Sequence, residues 1–140
     1  MTRVSAWVGV PRPPAMRPRN YRAVVTSTEP AIREHVRAVN AGDLPALLAG
    51  FAADARFQTG DHVVIGSDDI RAFFTEAFAG LRPQLEITNL FVDEGRAACE
   101  LRDTVTVDGE KRTYASAAFF SLDRGVITDV KVYREGLATV

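Results

Sequence analysis

An acidic side chain stands in an otherwise apolar row of a predicted β-strand. Residues 97–108 read as a strand whose side chains point alternately to two faces. One face carries Ala97, Cys99, Leu101, Asp103, Val105 and Val107. We therefore expect the Asp103 carboxylate to face the interior, where loss of hydration raises a carboxyl pKa and prepares the group to exchange protons near neutral pH. Asp103 is the leading candidate for a general acid or base, unless backbone donors or an arginine from elsewhere in the chain satisfy it.

His35 is the second residue whose position suggests chemistry. It lies on a predicted helix stripe with Ile32, Val36 and Val39, so its imidazole is expected to face inward. A neutral imidazole hydrogen-bonded to a carboxylate makes a general base, an effect of roughly 10²–10⁴-fold on rate. We expect Asp103 and His35 to form such a dyad. The alternative, a histidine satisfied by a backbone carbonyl, stays open.

Other motifs that carry chemistry are missing from the sequence. Asp61 and His62 lie near Asp68 and Asp69, but their spacing matches no metal site, and the two later acids fit the first turn of a helix. The sequence contains no glycine-rich phosphate loop, nucleophile elbow or nucleotide fingerprint. We expect no metal and no cofactor.

The composition is typical of one globular domain. The chain has 140 residues, of which 46% are hydrophobic and 25% charged, and its net charge is −1. This balance gives no reason to expect binding to nucleic acid or to a membrane surface. The single cysteine, Cys99, excludes an intrachain disulfide and falls on the apolar row, where a thiol acts as a small hydrophobic group. No apolar run approaches the roughly 18 residues of a membrane span, and we expect a cytoplasmic protein.

The first 22 residues differ from the rest. They contain five arginines and no acid, with prolines at positions 11, 13, 14 and 18. Proline at this density favours extended, solvated chain. We predict a flexible basic arm over residues 1–22 and one folded domain over residues 23–140.

Three helices are predicted in the first part of the domain. The first begins at residues 28–30 and ends before Gly42. Asp43 caps the second, whose buried face includes Phe51, and Ser67 caps the third. The apolar face of the third helix comprises Ile70, Phe73, Phe74, Ala77 and Phe78.

The rest of the domain reads as β-structure with short turns. Turn sequences typical of hairpins stand at residues 93–95, 108–109 and 123–125. Predicted strands cover residues 55–59, 62–65, 84–93, 96–108, 111–122 and 126–135. Three helices followed by antiparallel strands predict an α+β fold in which the helices pack on one face of the sheet.

Several segments carry a family signature. Residues 36–44 (VRAVNAGDL), 51–55 (FAADA), 66–74 (GSDDIRAFF) and 125–133 (GVITDVKVY) resemble the opening, third helix and last strand of the nuclear-transport-factor-2-like superfamily. That superfamily includes SnoaL-like polyketide cyclases, ketosteroid isomerases and limonene-epoxide hydrolases. The resemblance covers about residues 29–135. It implies a cystatin-like cone, in which a strongly bent, mixed and mainly antiparallel sheet wraps around three helices and an internal pocket, and homodimers that pair through the outer sheet face.

The resemblance does not extend to the catalytic residues of the ketosteroid isomerases. Their general-base aspartate corresponds to Thr59 and their oxyanion-hole aspartate to about Ala117. Their oxyanion-hole tyrosine corresponds to His35. Steroid isomerisation by that mechanism is therefore not expected.

The limonene-epoxide hydrolases share one acid with this chain. Their Arg-x-Asp strand pair aligns with Leu101 and Asp103, which keeps the aspartate and loses the arginine. Their second aspartate corresponds to about Val132, and their water-holding tyrosine and asparagine correspond to Phe57 and Thr59. This set does not favour epoxide hydrolysis.

The SnoaL-like cyclases resemble this chain best in chemistry. They use an inward strand aspartate, assisted by a histidine, to move a proton on a polyketide. Asp103 matches the first role, and His35 can serve in the second only by proximity. We predict a cofactor-independent enzyme of the cyclase, isomerase or dehydratase type, acting on a small hydrophobic, oxygenated molecule. The alternatives are a non-catalytic ligand-binding domain and a dimerising module.

Strand alternation also predicts the pocket walls and the outer face. Thr59 could orient a substrate oxygen, and the small residues Ala115 and Ala117 leave room for a ligand. The other predicted walls are Val39, Phe57, Phe74, Phe78, Leu101, Val105, Phe119, Val130 and Val132. Residues expected on the outer face, as a subunit interface, are Tyr114, Tyr133, Ser116, Ala118, Phe120 and Leu122. Arg102 and Lys131 share that face, as interface charges or as charges exposed to solvent.

Overall fold

Three helices and six strands make up the described part of the chain. A computed structural model describes residues 21–135, with side chains from residue 27 onward, and almost all of the predicted arm lies outside these residues. The helices are α1 (Tyr21–Ala41), α2 (Leu44–Ala49) and α3 (Ser67–Gly80). The strands are β1 (Phe51–Thr59), β2 (His62–Ile65), β3 (Gln84–Asp93), β4 (Arg96–Val107), β5 (Glu110–Asp123) and β6 (Val126–Arg134).

The six strands form one sheet in the order β2-β1-β6-β5-β4-β3. Neighbouring strands are antiparallel except β1 and β6, which run parallel. This mixed, mainly antiparallel sheet with three helices confirms the predicted α+β class, while the strong bend into a cone stays a prediction. None of the helices in residues 21–135 is long and apolar enough to cross a membrane.

The hydrophobic core lies between the helices and one face of the sheet, which is called the inner face below. Its most deeply buried residues come from every layer: Ile32 in α1, Leu47 in α2, Ile70 in α3, and Ile127 and Val130 in β6. The alternation of buried and exposed positions along β4 matches the predicted apolar row. The inner face of β4 therefore carries Asp103 into the core side of the sheet, as predicted.

The first helix is longer than predicted. It begins at Tyr21, so Pro30 lies inside it and not in its first turn. A proline lacks the backbone N–H of one helical hydrogen bond, which makes the first turn its preferred place and explains the predicted start. Here the helical turns continue on both sides of Pro30.

The end of α1 is tied to the sheet by one side-chain amide. Asn40 Nδ2 donates to the Leu85 carbonyl at 2.9 Å, and Asn40 Oδ1 accepts from the Leu85 N–H at 2.6 Å. Leu85 stands directly opposite Asp103 in the β3–β4 ladder. The amide therefore fixes α1, and with it His35, against the part of the sheet that carries the candidate acid.

The ends of α2 and α3 differ in how far they follow the predictions. Asp43 caps α2 as predicted, accepting a hydrogen bond from a first-turn N–H at 3.1 Å. Phe51 was predicted on the buried face of that helix, but Gly50 ends the helix and Phe51 opens β1. The N-cap of α3 is Gly66, with φ +89°, and Ser67 is its first helical residue. Glycine adopts that dihedral without strain, so the helix starts there and not with a serine cap.

The turn between β4 and β5 decides which side chains of β5 face inward. Asp108 and Gly109 both have positive φ angles, 51° and 79°, as a two-residue type I′ hairpin turn requires. The turn pairs Val107 with Glu110 and so Asp103 with Tyr114. Residues directly opposite each other in an antiparallel pair point to the same face. Odd-numbered residues of β4 therefore share the inner face with even-numbered residues of β5.

This register corrects the predicted faces of β5. Ala115, Ala117 and Phe119 were predicted to line the pocket, but they lie on the outer face. Tyr114, Ser116, Ala118 and Phe120 were predicted on the outer face, but they lie on the inner one. The prediction is wrong because the residues of β5 by themselves do not determine which of them face inward; the register set by the hairpin turn does.

Candidate functional site

A cavity of about 100 Å³ lies between α1, α3 and the inner face of the sheet. It is lined mainly by aliphatic and aromatic side chains, with a few polar ones among them. The predicted site residues that line it are His35, Asp103, Thr59, Val39, Phe57, Phe74, Leu101, Val105, Val130 and Val132. The structure thus brings both candidate catalytic residues to one cavity.

Four predicted pocket residues lie elsewhere: Ala115, Ala117, Phe119 and Phe78. Ala115, Ala117 and Phe119 face outward for the reason of register given above, and more than half of the Phe119 side chain is exposed. Phe78 packs near Phe74, with ring centroids 5.8 Å apart, but does not line the cavity. The residues of α3 that line the cavity are Phe73, Phe74 and Ala77. Phe78 is rotated by about 100° around the helix axis from Ala77, so it lies beside this row of residues and not within it.

Asp103 is one half of a buried ion pair. Arg134 Nη2 donates to Asp103 Oδ2 at 2.6 Å, and the two side chains are only 20% and 6% exposed. The guanidinium of Arg134 also lies over the Tyr114 ring, 5.5 Å from its centroid, in cation–π geometry. An arginine from elsewhere in the chain therefore pairs with one oxygen of Asp103, as the alternative expected, but within the described residues the other oxygen, Oδ1, has no partner.

Sequence reasoning missed Arg134, although a signal for it existed. Val130 and Val132 alternate along β6 and both line the cavity, and the same alternation continued by two residues reaches Arg134. In the sheet, Arg134 stands opposite Ser116, which stands opposite Leu101. An inward arginine next to an inward aspartate could have been predicted from the strand rows together.

His35 is buried in an aromatic corner of the cavity. Its ring meets those of Phe51 and Phe120 edge-on, at centroid distances of 5.6 and 5.5 Å. Burial lowers the pKa of His35 to about 4, because the imidazolium would lose its hydration there. The imidazole is therefore neutral at pH 7. No hydrogen bond joins it to Asp103 within residues 21–135, so the two candidates share a cavity without forming the predicted dyad.

Four buried polar atoms of the cavity residues have no hydrogen-bond partner within the described part of the chain. They are His35 Nδ1, Asp103 Oδ1, Ser116 Oγ and Arg134 Nε, and all four side chains line the cavity. Leaving such an atom unpaired costs roughly 1–3 kcal/mol, so native proteins rarely leave several together. All four belong to side chains that line one cavity, which is typical of a place built to receive a polar molecule.

Metal and thiol chemistry find no support at this site. Residues 21–135 contain no group of three or more His, Cys, Asp or Glu side chains placed to hold a metal ion. Cys99 is buried, and burial raises the pKa of its thiol to about 11. The thiol is therefore protonated and unreactive at neutral pH, consistent with its predicted structural role.

The lowered pKa of His35 predicts how stability depends on pH. The unfolded chain binds a proton at its ordinary pKa of 6.5, whereas the folded chain binds it only at about 4. Stability should therefore be complete above pH 6.5 and fall as the pH drops from 6.5 to 4, by about 3 kcal/mol in total. Urea unfolding of the wild type and of His35→Leu at pH 7.5 and pH 4.5 measures this contribution. Equal losses of stability in both proteins would contradict the assignment.

The ion pair predicts a difference between single and double substitutions. Asp103→Leu leaves Arg134 unpaired and should destabilise the fold by roughly 3 kcal/mol, since breaking a buried pair strands the partner charge. Asp103→Leu combined with Arg134→Met removes both charges and should restore the free energy of unfolding to within about 1 kcal/mol of the wild type. Chemical denaturation of the three proteins measures both values.

The pair of Arg56 and Asp129 provides the control for this cycle. These side chains are about 40% exposed and 3.6 Å apart. Asp129→Leu should change stability by no more than about 1 kcal/mol, as is usual for an exposed ion pair. If the double variant at positions 103 and 134 is as unstable as Asp103→Leu, the unpaired charge of Arg134 is not the cause of the destabilisation.

Comparisons with known proteins agree with the observed fold. Solved structures similar to the chain include a limonene-epoxide-hydrolase-like epoxide hydrolase from M. tuberculosis, with TM-score 0.74, 16% identity, and coverage of 79% of this chain and 84% of that one. A putative ketosteroid isomerase from Kribbella flavida has TM-score 0.69, 19% identity and coverage of 83% of each chain. A putative polyketide cyclase from a Silicibacter species has TM-score 0.69, 23% identity and coverage of 80% and 91%. At these identities the likeness shows the nuclear-transport-factor-2-like fold alone.

A family match extends over most of the described residues. No curated protein matches the chain. Residues 32–130, which include His35, Asp103 and most of the cavity wall, match the SnoaL-like domain. The chain belongs to the SnoaL-like domain family.

Proposed function

We propose that the chain is a cofactor-independent enzyme that moves a proton on a small, mainly apolar, oxygen-bearing molecule held in the cavity. The observation that carries this proposal is the state of Asp103. One oxygen of its carboxylate is fixed by Arg134 at 2.6 Å, and the other has no partner within residues 21–135. A carboxylate held in one orientation, with a free oxygen in an apolar cavity, is placed to act as a general base.

The neighbouring donors suggest the type of reaction. When Asp103 Oδ1 takes a proton from a carbon next to a carbonyl group, negative charge develops on the carbonyl oxygen. Arg134 Nε–H and the Ser116 hydroxyl are the available donors in the cavity that could stabilise that charge. Transfer of the proton from Asp103 to another carbon gives isomerisation, and its transfer to a departing β-hydroxyl group releases water and gives dehydration. When the enolate attacks a second carbonyl, transfer of the proton to the resulting alkoxide completes ring closure.

His35 has a supporting role in this scheme. With a pKa of about 4 it is neutral, so its imidazole can donate or accept a hydrogen bond without adding charge. Its free Nδ1 suits contact with a substrate oxygen on the side of the cavity near Phe120. Thr59 also lines the cavity and could orient a substrate oxygen.

Two kinds of similarity support the enzyme class. The fold is shared with proteins named as an epoxide hydrolase, a putative ketosteroid isomerase and a putative polyketide cyclase, all names of small-molecule enzymes. The chain also belongs to the family named for SnoaL-like domains. Fold alone does not determine the reaction, so the proposal depends on the cavity residues.

A non-catalytic binding domain is the second candidate function. The negative charge of Asp103 is balanced by the positive charge of Arg134, and the pKa of His35, about 4, lies well below neutral pH. Neither observation requires proton transfer, and both suit a site that only binds an uncharged ligand. The two candidates differ in whether Asp103 is needed for turnover.

We also propose that the outer sheet face pairs two copies of the chain. Phe91, Phe119 and Tyr133, called the outer patch here, are each more than half exposed. The rings of Phe119 and Tyr133 pack edge-on at 5.8 Å, and Lys131 lies over the Tyr133 ring at 5.0 Å. Exposed aromatic side chains grouped on one sheet face, with charged residues beside them, are typical of subunit interfaces.

Deuterium exchange tests the catalytic proposal. A small cyclic ketone such as cyclohexenone should incorporate deuterium from D₂O next to its carbonyl group faster in the presence of the protein, as followed by NMR at neutral pH. Asp103→Asn keeps the shape of the side chain but removes the base, so the rate above background should fall by about 10²–10⁴-fold. Asp129→Asn, on the exposed Arg56 pair, should keep the wild-type rate.

Either of two results would contradict the catalytic proposal and favour the non-catalytic binding domain. One is a wild-type protein that does not accelerate exchange, and the other is an Asp103→Asn variant as fast as the wild type. Circular dichroism of both variants would verify that each is folded.

The dimer proposal predicts a change of mass in solution. Phe119→Glu places a charge in the outer patch and should convert a dimer to a monomer in light scattering coupled to size-exclusion chromatography. Ile65→Glu provides the control, because Ile65 is equally exposed but lies on β2, three strands away from β5. A wild-type protein that is monomeric at micromolar concentration would refute the proposal.

A further inference from the structure

We propose that the cavity takes an uncharged molecule of one ring that both donates and accepts a hydrogen bond. This inference rests on the proposed function and narrows its substrate. It comes from three properties of the cavity: its charge, its unpaired polar atoms and its size.

The first property is the charge of the lining. Asp103 and Arg134 form an ion pair whose charges cancel, and His35 is neutral at pH 7. No other charged side chain within residues 21–135 lines the cavity. An ionic ligand would therefore bring a charge with no counter-charge into an apolar space, which is strongly disfavoured. A neutral ligand has no such penalty.

The second property is the hydrogen-bonding capacity of the unpaired atoms. Asp103 Oδ1 can only accept a hydrogen bond, whereas Arg134 Nε can only donate one. A ligand that satisfies both must carry at least one donor and one acceptor. The Ser116 hydroxyl and the neutral His35 imidazole can each act in either way, so they adapt to whatever polar group lies beside them.

The third property is size. The cavity measures about 100 Å³. A cavity of roughly 150 Å³ in another protein holds one benzene molecule. The present cavity is smaller than that, so one ring is the upper limit of what it can enclose, and a fused polycyclic compound is too large for it. Ring contact is provided by Phe57 and Phe74, whose own rings lie 5.0 Å apart, edge to face.

Four probe compounds separate these properties. Benzamide is uncharged and carries both a donor and an acceptor. Acetophenone has the same shape without the donor, benzoate has the same shape with a negative charge, and 2-naphthamide adds a second ring. Each would be titrated into the full chain at pH 7, with binding followed by calorimetry and by NMR shifts of the methyl groups of Leu101 and Val130.

Benzamide should bind at least 10-fold more tightly than each of the other three. Acetophenone that binds as well as benzamide would overturn the need for a donor. Benzoate that binds as well would overturn the charge argument, and 2-naphthamide that binds as well would overturn the size limit. Absence of binding by all four would overturn the proposal as a whole.

Two neighbouring alanines of β5 locate the binding. Ala118 lines the cavity, whereas Ala117 lies on the outer face. Ala118→Leu fills part of the cavity and should weaken benzamide binding at least 10-fold, while Ala117→Leu should leave it unchanged. Equal affinities in the two variants would place the binding outside the cavity and refute the proposal.

The outcome is independent of the deuterium-exchange test. A protein that prefers benzamide but accelerates no exchange retains the ligand assignment and loses the catalytic function. A protein that accelerates exchange but shows no preference among the four probes retains the function and loses the ligand assignment.

Discussion

The register between β4 and β5 is the constraint on which the rest of the site depends. A two-residue turn at Asp108 and Gly109 sets this register, and it aligns inward rows across three strands. One row runs from Leu101 through Ser116 to Arg134, and Leu101 is the inward residue next to Asp103 on β4, two positions along the strand. A shift of one residue would turn every side chain of β5 to the other face and would replace Ser116 in the cavity by an alanine.

The ion pair and the apolar walls of the cavity have complementary effects. In a space of low dielectric, Arg134 and Asp103 attract each other strongly, which fixes the orientation of both side chains. The same environment keeps His35 neutral, because its protonated form would lose hydration without a counter-charge. The result is a cavity with strong local dipoles and little net charge. Such an interior can polarise a bound carbonyl group without requiring the ligand to be ionic.

Patterns within single elements predicted much of this architecture. The α+β class, the strands from Gln84 onward and the inward positions of Asp103 and His35 all follow from hydrophobic periodicity. Pairing between elements was harder to predict. The faces of β5 were reversed because the hairpin turn, and not the strand's own residues, determines them. Arg134 was missed because its partner lies 31 residues earlier in the chain and two strands away in the sheet; alternation along β6 indicates that Arg134 faces inward but does not identify that partner.

The parallel pairing of β1 with β6 has a consequence for folding. β6, the last strand within residues 21–135, lies in the middle of the sheet, between β1 and β5. During synthesis the hairpin of β1 and β2 and the meander of β3 to β5 can form early, but each keeps an open edge until β6 emerges. Strand pairs that are far apart in the sequence form slowly, and the edges of the neighbouring strands stay unpaired until they form. Because β6 also carries Arg134, a nascent chain can complete its cavity only after β6 has been synthesised.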